Sequence, residues 1–342
     1  MFEKNRLGLK ERDRQLGFVP QPNLQNSLTK RVTKKYNNAI HHGLNLGERL
    51  MIKTLEQMLT IARRIGWGAS DILRSYYRGE AFFSDLDVQE KNDGPVTAAD
   101  VAVNSYILKE LQQELDAETF GYLSEETYKE YRDIHGETPL PQDWVWIIDP
   151  LDGTRDFIDK TGEYAVHIAL VYQNRPVLAV VAWPEADKLY YARHNGGTFV
   201  EDRQGNTRKL QVSDKSAIAD LAMVVSRSHR GPRFETLLKK LPCQNQLAVG
   251  SIGCKIATIV EQKAEVYIAL SGKSAPKDWD LAAPELILTE AGGKYTRFDG
   301  SLPLYNQGDI NQWGGFLASN GTCHFALCEE ATNILANLTP IN

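Results

Sequence analysis

Trp146-Ile147-Ile148-Asp149-Pro150-Leu151-Asp152-Gly153-Thr154 is the stretch on which the reading of this chain turns. The apolar run Val145 to Ile148 reads as a buried strand and stops at a carboxylate. Asp152 follows three residues later, then Gly153 and Thr154. Two acids in a loop at a strand end offer the hard oxygen ligands that Mg²⁺ requires. Backbone N–H groups at Gly153 and Thr154 can meet phosphate oxygens. An unpaired carboxylate directly after a buried strand is costly. Asp149 therefore either meets a cation or phosphate ligand or is satisfied within the fold, and the stretch alone leaves both open.

The flanking sequence alternates helix and strand patterns. Apolar residues at Leu55, Met58, Leu59, Ala62, Ile65, Ala69, Ile72 and Leu73 predict a helix over 50–77. Thr97-x-x-Asp100 resembles a capping box that opens a second helix, with Val101, Ile107, Leu108, Leu111 and Leu115 as its buried stripe. Strands are expected at 144–148, 165–172, 177–183, 189–192 and 197–200, with 173–176 as a hairpin turn. Further on, strands are expected at 222–226 and 266–270, and helices at 233–240, 252–261 and 280–290. The last is stopped by Gly292-Gly293 and tolerates Pro284 in its first turn. Mixed helices and antiparallel strands, without a Gly-x-Gly-x-x-Gly or Walker-type loop, predict an α+β layered sandwich and no doubly wound nucleotide fold.

Bulk numbers narrow the function classes. The chain has 342 residues, and its net charge of −5 disfavours nucleic-acid or anionic-membrane binding. A phosphorylated substrate then needs local compensation, which metal ions supply. Cys243, Cys254, Cys323 and Cys328 form no Cys-x-x-Cys pair and read as free thiols of a reducing, cytoplasmic setting. No run of 18 apolar residues predicts a membrane span. Residues 1–45 carry nine Lys/Arg against three Asp/Glu, which leaves −11 (−5 − 6) on the other 297 residues. This stretch is expected to be a disordered basic extension, followed by a catalytic domain over 46–335 with subdomains at about 46–212 and 213–335.

Acids stand beside special backbone in four places: Lys91-Asn92-Asp93-Gly94-Pro95-Val96-Thr97, Leu123-Ser124-Glu125-Glu126, the quoted stretch, and Lys277-Asp278-Trp279-Asp280-Leu281-Ala282-Ala283. Taken singly, Glu125-Glu126 reads as a solvated pair and Asp280 as a helix N-cap. Together, Asp149–Thr154, Glu125-Glu126, Trp279–Ala283 and Glu290-Ala291-Gly292-Gly293 stand in the order found in the inositol monophosphatase superfamily, which residues 50–330 resemble. Members are Mg²⁺-dependent, lithium-sensitive phosphomonoesterases. The resemblance implies alternating layers of helices and mostly antiparallel sheet.

It also implies a site. Glu125, Asp149 and the Leu151 carbonyl would hold one Mg²⁺, and Asp149, Asp152 and Asp280 a second, with Glu125 touching a third through water. A metal-activated water would attack, aimed by Thr154. The acid behind Thr154 is expected to be Asp93, one residue earlier than the usual position, which is Gly94 here. Ser124 before the Glu pair, Pro95–Asp100, Ser226-Arg227-Ser228-His229 and Gly250-Ser251 with Lys255 resemble the 3′(2′),5′-bisphosphate nucleotidases within that superfamily. Gly153, Thr154, Ser228, His229, Ser251, Lys255 and Asp280 are then the expected substrate contacts, with Lys255 approaching a second phosphate. His229 alone reads as a loop residue and His167, inside a strand, as structural. The leading expectation is removal of the 3′-phosphate from 3′-phosphoadenosine 5′-phosphate to give AMP. The alternatives are inositol monophosphatase action on sugar phosphates, or an inactive ligand-binding protein of the same fold. The oligomeric state, including a homodimer, stays open.

Overall fold

A computed structural model describes residues 54–80, 89–91, 94–116, 118–227, 230–243 and 245–338, with backbone only for 89–91 and 94–96. The basic extension 1–45, Asp93, Ser228 and His229 lie outside the described residues.

Helix α1 (Leu55–Arg78) opens on a Thr54 capping box and buries Met58, Leu59, Ala62, Ile65, Ala69 and Leu73 of the predicted stripe, with Leu55 and Ile72 half-buried. After the short ribbon β1 (Gln89–Lys91) and β2 (Gly94–Val96) comes α2 (Ala98–Glu114), capped by Thr97 and Asp100. Seven strands then form one sheet in the order β3 to β9: β3 (Phe120–Ser124), β4 (Trp144–Asp152), β5 (Ala165–Tyr172), β6 (Arg175–Trp183), β7 (Lys188–Arg193), β8 (Gly197–Asp202) and β9 (Thr207–Leu210). Only β3 with β4 is parallel in it. Helix α3 (Glu125–His135) follows β3, and the five-residue helix α4 (Thr154–Ile158) follows β4.

The second sheet has five strands: β10 (Ala222–Val225), β11 (Asn245–Ala248), β12 (Val266–Leu270), β13 (Lys294–Arg297) and β14 (Gly315–Ser319), in the order β11-β10-β12-β14-β13. Its helices are α5 (Pro232–Lys240), α6 (Ile252–Val260), α7 (Asp278–Glu290) and α8 (His324–Ala336). Alternation along each strand sorts the side chains into layers. Val145, Ala169, Val181 and Tyr190 of the first sheet share one core with Ile256, Ile259, Leu281 and Leu288 of α6 and α7 and with Val224, Tyr267 and Phe316 of the second sheet. The opposite face of the second sheet, Met223, Val225, Ile268 and Leu317, packs on Leu237 and Leu238 of α5 and Leu327 and Ala331 of α8. On the far side of the first sheet, α1 lies so close that a Cβ on Gly66 would come within 2.9 Å of Val180. The result is five layers, helix–sheet–helix–sheet–helix, as the layered reading required.

Three local expectations change, the first being that Val101, expected in the buried stripe of α2, is 51% exposed. The hairpin turn is two residues, Gln173 and Asn174, with φ of 46° and 66°, so Arg175 and Pro176 belong to the strand. Helix α7 begins at Asp278 and not at Asp280, which puts Pro284 inside the helix. Proline has no N–H, so the carbonyl of Asp280, four residues earlier, loses its helical partner. Among the described residues no helix is long and apolar enough to cross a membrane, and the four cysteines are unpaired.

Candidate active site

A β-bulge builds the centre of the site. In a regular strand, residues three apart face opposite sides. Asp149 pairs with His167 and Asp152 with Ala165, so three steps on β4 oppose two on β5. The extra residue re-phases the strand and brings both carboxylates to one side. Pro150 can sit there because the bulge needs no ladder hydrogen bond from it. The Leu151 N–H turns back to Asp149 Oδ1 at 3.0 Å. Gly153 then takes φ 89°, and a Cβ on it would meet the Glu163 carbonyl at 3.1 Å and Ser251 at 3.3 Å.

Asp280 arrives from α7. It is the third residue of that helix, not its N-cap, and its Oδ2 accepts the Lys277 N–H at 2.6 Å. Asp149, Asp152 and Asp280 each present an oxygen within 4.8 Å of the others. Glu125, the first residue of α3, joins this field: burial pushes its carboxyl well above the usual range, and Asp280, Glu126, Asp100 and Asp152 add to the push. Burial does the same to Asp149, reinforced by Glu125, Asp152 and Asp280. Burial and Asp152 raise Asp280 to about 6. Such a cluster repels itself and is stable only with bound protons or a cation. Its donors are carboxylate oxygens without thiolate or imidazole at their centre, which suits Mg²⁺ or Mn²⁺.

Asp152 is treated differently by the fold. Burial pushes its pKa up, but His167, Lys255 and the Ser251 hydroxyl outweigh burial and hold it at about 2. Its Oδ2 accepts Ser251 Oγ at 2.5 Å and the Gly253 N–H at 3.0 Å. His167 Nε2 is 3.2 Å away but poorly aligned for a hydrogen bond, and Nδ1 lies 3.3 Å from the Trp279 carbonyl. His167 thus stands between two of the acid-bearing elements, a structural placement.

The acid that meets Thr154 is Asp100. Thr154 Oγ1 is 3.4 Å from Asp100 Oδ1 and 3.1 Å from the Leu151 carbonyl. Asp100 Oδ2 is occupied by the Thr97 N–H at 2.7 Å and the Thr97 hydroxyl at 2.6 Å, so only Oδ1 faces Thr154. Burial raises Asp100 to about 6 against the Thr97 bonds. The sequence carries a signal for Asp100, which closes the capping box of α2, but that local pattern points to a helix start and not to Thr154. Asp93, expected behind Thr154, lies outside the described residues.

Two expected substrate contacts turn inward. Ser251, strained at φ 31°, donates its one proton to Asp152 and accepts the Cys254 N–H at 3.2 Å as the cap of α6. Lys255 is 3% exposed and donates to the Gly250 and Ser251 carbonyls at 2.9 and 3.2 Å. Through these bonds Lys255 pins the loop that carries Ser251. Arg227 bonds Glu163 at 2.6 Å, and Glu163 also accepts the Gly250 N–H at 2.6 Å.

The sequence profile of the inositol monophosphatase family matches residues 54–336. A 3′(2′),5′-bisphosphate nucleotidase CysQ of Salmonella typhimurium is 32% identical over 253 residues, covering 73% of this chain and 93% of that protein. The Haemophilus influenzae protein of the same name is 31% identical over 269 residues, covering 77% and 90%. Among solved structures, CysQ from Bacteroides thetaiotaomicron superposes with a TM-score of 0.62 at 27% identity, covering 77% of this chain and 97% of that one. An inositol monophosphatase from Thermotoga maritima reaches a TM-score of 0.65 at 20% identity, covering 82% and 98%, a likeness of fold.

Proposed function

The chain belongs to the inositol monophosphatase family and is a phosphatase of that type; we propose that it removes the 3′-phosphate of 3′-phosphoadenosine 5′-phosphate, releasing AMP. The observation that carries the chemistry is the convergence of Asp149, Asp152 and Asp280 within 4.8 Å beside the Thr154–Asp100 pair. The nucleotide substrate is supported by relatives that are bisphosphate nucleotidases by name and about a third identical to this chain.

Glu125, Asp149, the Leu151 carbonyl, Asp152 and Asp280 would hold Mg²⁺. When bound, divalent cations supply positive charge for the phosphoryl oxygens and lower the pKa of a nearby water. The chain's own work is alignment and proton handling. Thr154 has one proton, committed to Leu151 or Asp100, so its lone pairs remain to accept a hydrogen bond from the attacking water. As the water gives its proton to Thr154 Oγ1, the Thr154 proton passes to Asp100 Oδ1. A carboxylate raised to about 6 is matched to taking that proton near neutral pH. Asp152, fixed by Ser251 and Gly253, cannot swing away as charge develops. No covalent phosphoenzyme is needed.

Phosphate release from 3′-phosphoadenosine 5′-phosphate and from inositol 1-phosphate, measured side by side with Mg²⁺, tests the assignment. Higher kcat/KM on the bisphosphate is expected. Far more efficient turnover of inositol 1-phosphate would transfer the assignment to the sugar-alcohol class.

A further inference from the structure

Ser124 is the N-cap of α3, where a serine hydroxyl ordinarily accepts a hydrogen bond from its own helix. It makes no such bond. Instead its hydroxyl donates to Asn104 Oδ1 of α2 at 2.6 Å, across 20 residues of sequence. Ser124 is fully buried and Asn104 nearly so. The helix therefore forgoes its cap to make one short, dry bond to a neighbouring helix.

What this bond joins is specific. Asn104 sits one turn beyond Asp100 on the same face of α2, and Ser124 immediately precedes Glu125. One end of the bond thus belongs to the acid behind Thr154, the other to a carboxylate of the cation cluster. Asp100 and Glu125 carry like charge in a buried setting and repel each other. The sheet registers Ser124 against Ile148 of β4 and so holds the backbone before Glu125, while the Ser124 hydroxyl links that strand end to the helix that carries Asp100. We propose that the Ser124–Asn104 hydrogen bond is a latch that sets the position of Glu125 relative to Asp100, and so tunes how tightly the acid cluster holds its divalent cation. Ser124 and Asn104 are positioning residues, since neither touches substrate or cation. The inference rests on the cation reading given above.

The test uses the full-length protein and Mn²⁺ as a hard-cation probe. Mn²⁺ binding is titrated by the loss of its free EPR signal for wild type, Ser124→Ala, Asn104→Ala, the double variant and Ser124→Thr. Thermal melting is followed in parallel. Each Ala variant is expected to bind Mn²⁺ about tenfold more weakly, the scale typical of residues that support metal ligands. The double variant should be no weaker than the poorer single, because both remove one bond. Ser124→Thr keeps the hydroxyl and should bind within threefold of wild type. If the Ala variants do not fold, Ser124→Cys keeps the volume with a poorer donor and is expected to lose affinity in the same direction. Unchanged Mn²⁺ affinity in folded variants, even with lowered melting temperature, would overturn the latch, as would effects that multiply in the double variant. A wild type that binds no Mn²⁺ would instead remove the cation reading, and the latch with it.

Discussion

Replacing Gly253 with alanine should disable the site from behind. Gly253 is the second residue of α6, and its N–H reaches Asp152 Oδ2 at 3.0 Å, beside the Ser251 hydroxyl at 2.5 Å. A Cβ there would lie 2.3 Å from His167 Nε2, 2.8 Å from Val181 and 3.1 Å from Ala165. His167 cannot yield, because it is fully buried between Asp152 and the Trp279 carbonyl. Ordinary contact begins at 3.4 Å, so the helix must retreat by about 3.4 − 2.3 = 1.1 Å. That distance breaks both bonds that fix Asp152. Misplacement by about 1 Å costs on the order of 100-fold in rate, and overpacking of this kind costs about 1–3 kcal/mol. We therefore expect Gly253→Ala to lower kcat/KM about 100-fold and Tm by about 2–5 °C. Phosphate release and circular-dichroism melting are the assays. Gly272→Ala serves as control, since a Cβ there meets nothing within 4 Å. Retention of kcat/KM within threefold at unchanged Tm would refute the reasoning.

Asp100→Asn should lower kcat by about 10²–10⁴-fold, the range for removing a proton acceptor, while Tm at pH 8 holds or rises because a buried charge is gone; activity within threefold of wild type would count against the Thr154–Asp100 pair. His324 supplies a pH signature away from the site. Burial lowers its pKa from 6.5 to about 4, helped by Lys294, and its ring nitrogens lie 2.8 Å from Ser319 Oγ and Thr296 Oγ1. Between those values the unfolded chain binds a proton that the folded one does not, so stability is full above pH 6.5 and falls as pH drops toward 4. The loss should reach about 3 kcal/mol, and His324→Gln should flatten that part of the Tm–pH curve; an equal slope in both proteins would remove His324 as its source. Li⁺ should inhibit phosphate release at concentrations where Na⁺ and K⁺ do not, since its small radius suits the same oxygen cluster with half the charge; equal effects of the three ions would argue against that fit.

The layered fold was legible because its long elements keep their period. Most of the stripe from Met58 to Leu73 and of the runs 165–172 and 177–183 is buried where expected, with Ile72 and Trp183 half-buried, whereas Val101 of the expected α2 stripe is exposed. Short elements gave no such signal. Strand Asn245–Ala248 is exposed at every position and sits at a sheet edge, so it shows no alternation. The acidic residues of the centre were legible as types and not as geometry. Asp149 and Asp152 sit three apart, a spacing that a regular strand would split between faces, and only the bulge reconciles them. Asp280 resembles a cap in sequence, but α7 begins two residues earlier, at Asp278, so Asp280 lies inside its first turn. Ser251 and Lys255 are expected contacts through the family resemblance, which carries residue types and not the burial of these two side chains. Ser251 finds Asp152 across 99 residues of sequence, which no local pattern carries, and Lys255 is buried against the carbonyls of Gly250 and Ser251 just before it, where its burial comes from packing.

Asp149, one of three carboxylates within 4.8 Å of one another, is the proposed cation ligand on which phosphatase activity should depend most. The direct measurement is phosphate release by metal-stripped wild type and Asp149→Asn as Mg²⁺ is added back. Wild type should be silent without the cation and active with it, and Asp149→Asn should stay at least about 10³-fold down at every Mg²⁺ concentration. Full activity in the stripped wild type, or Asp149→Asn within threefold of wild type, would contradict that dependence.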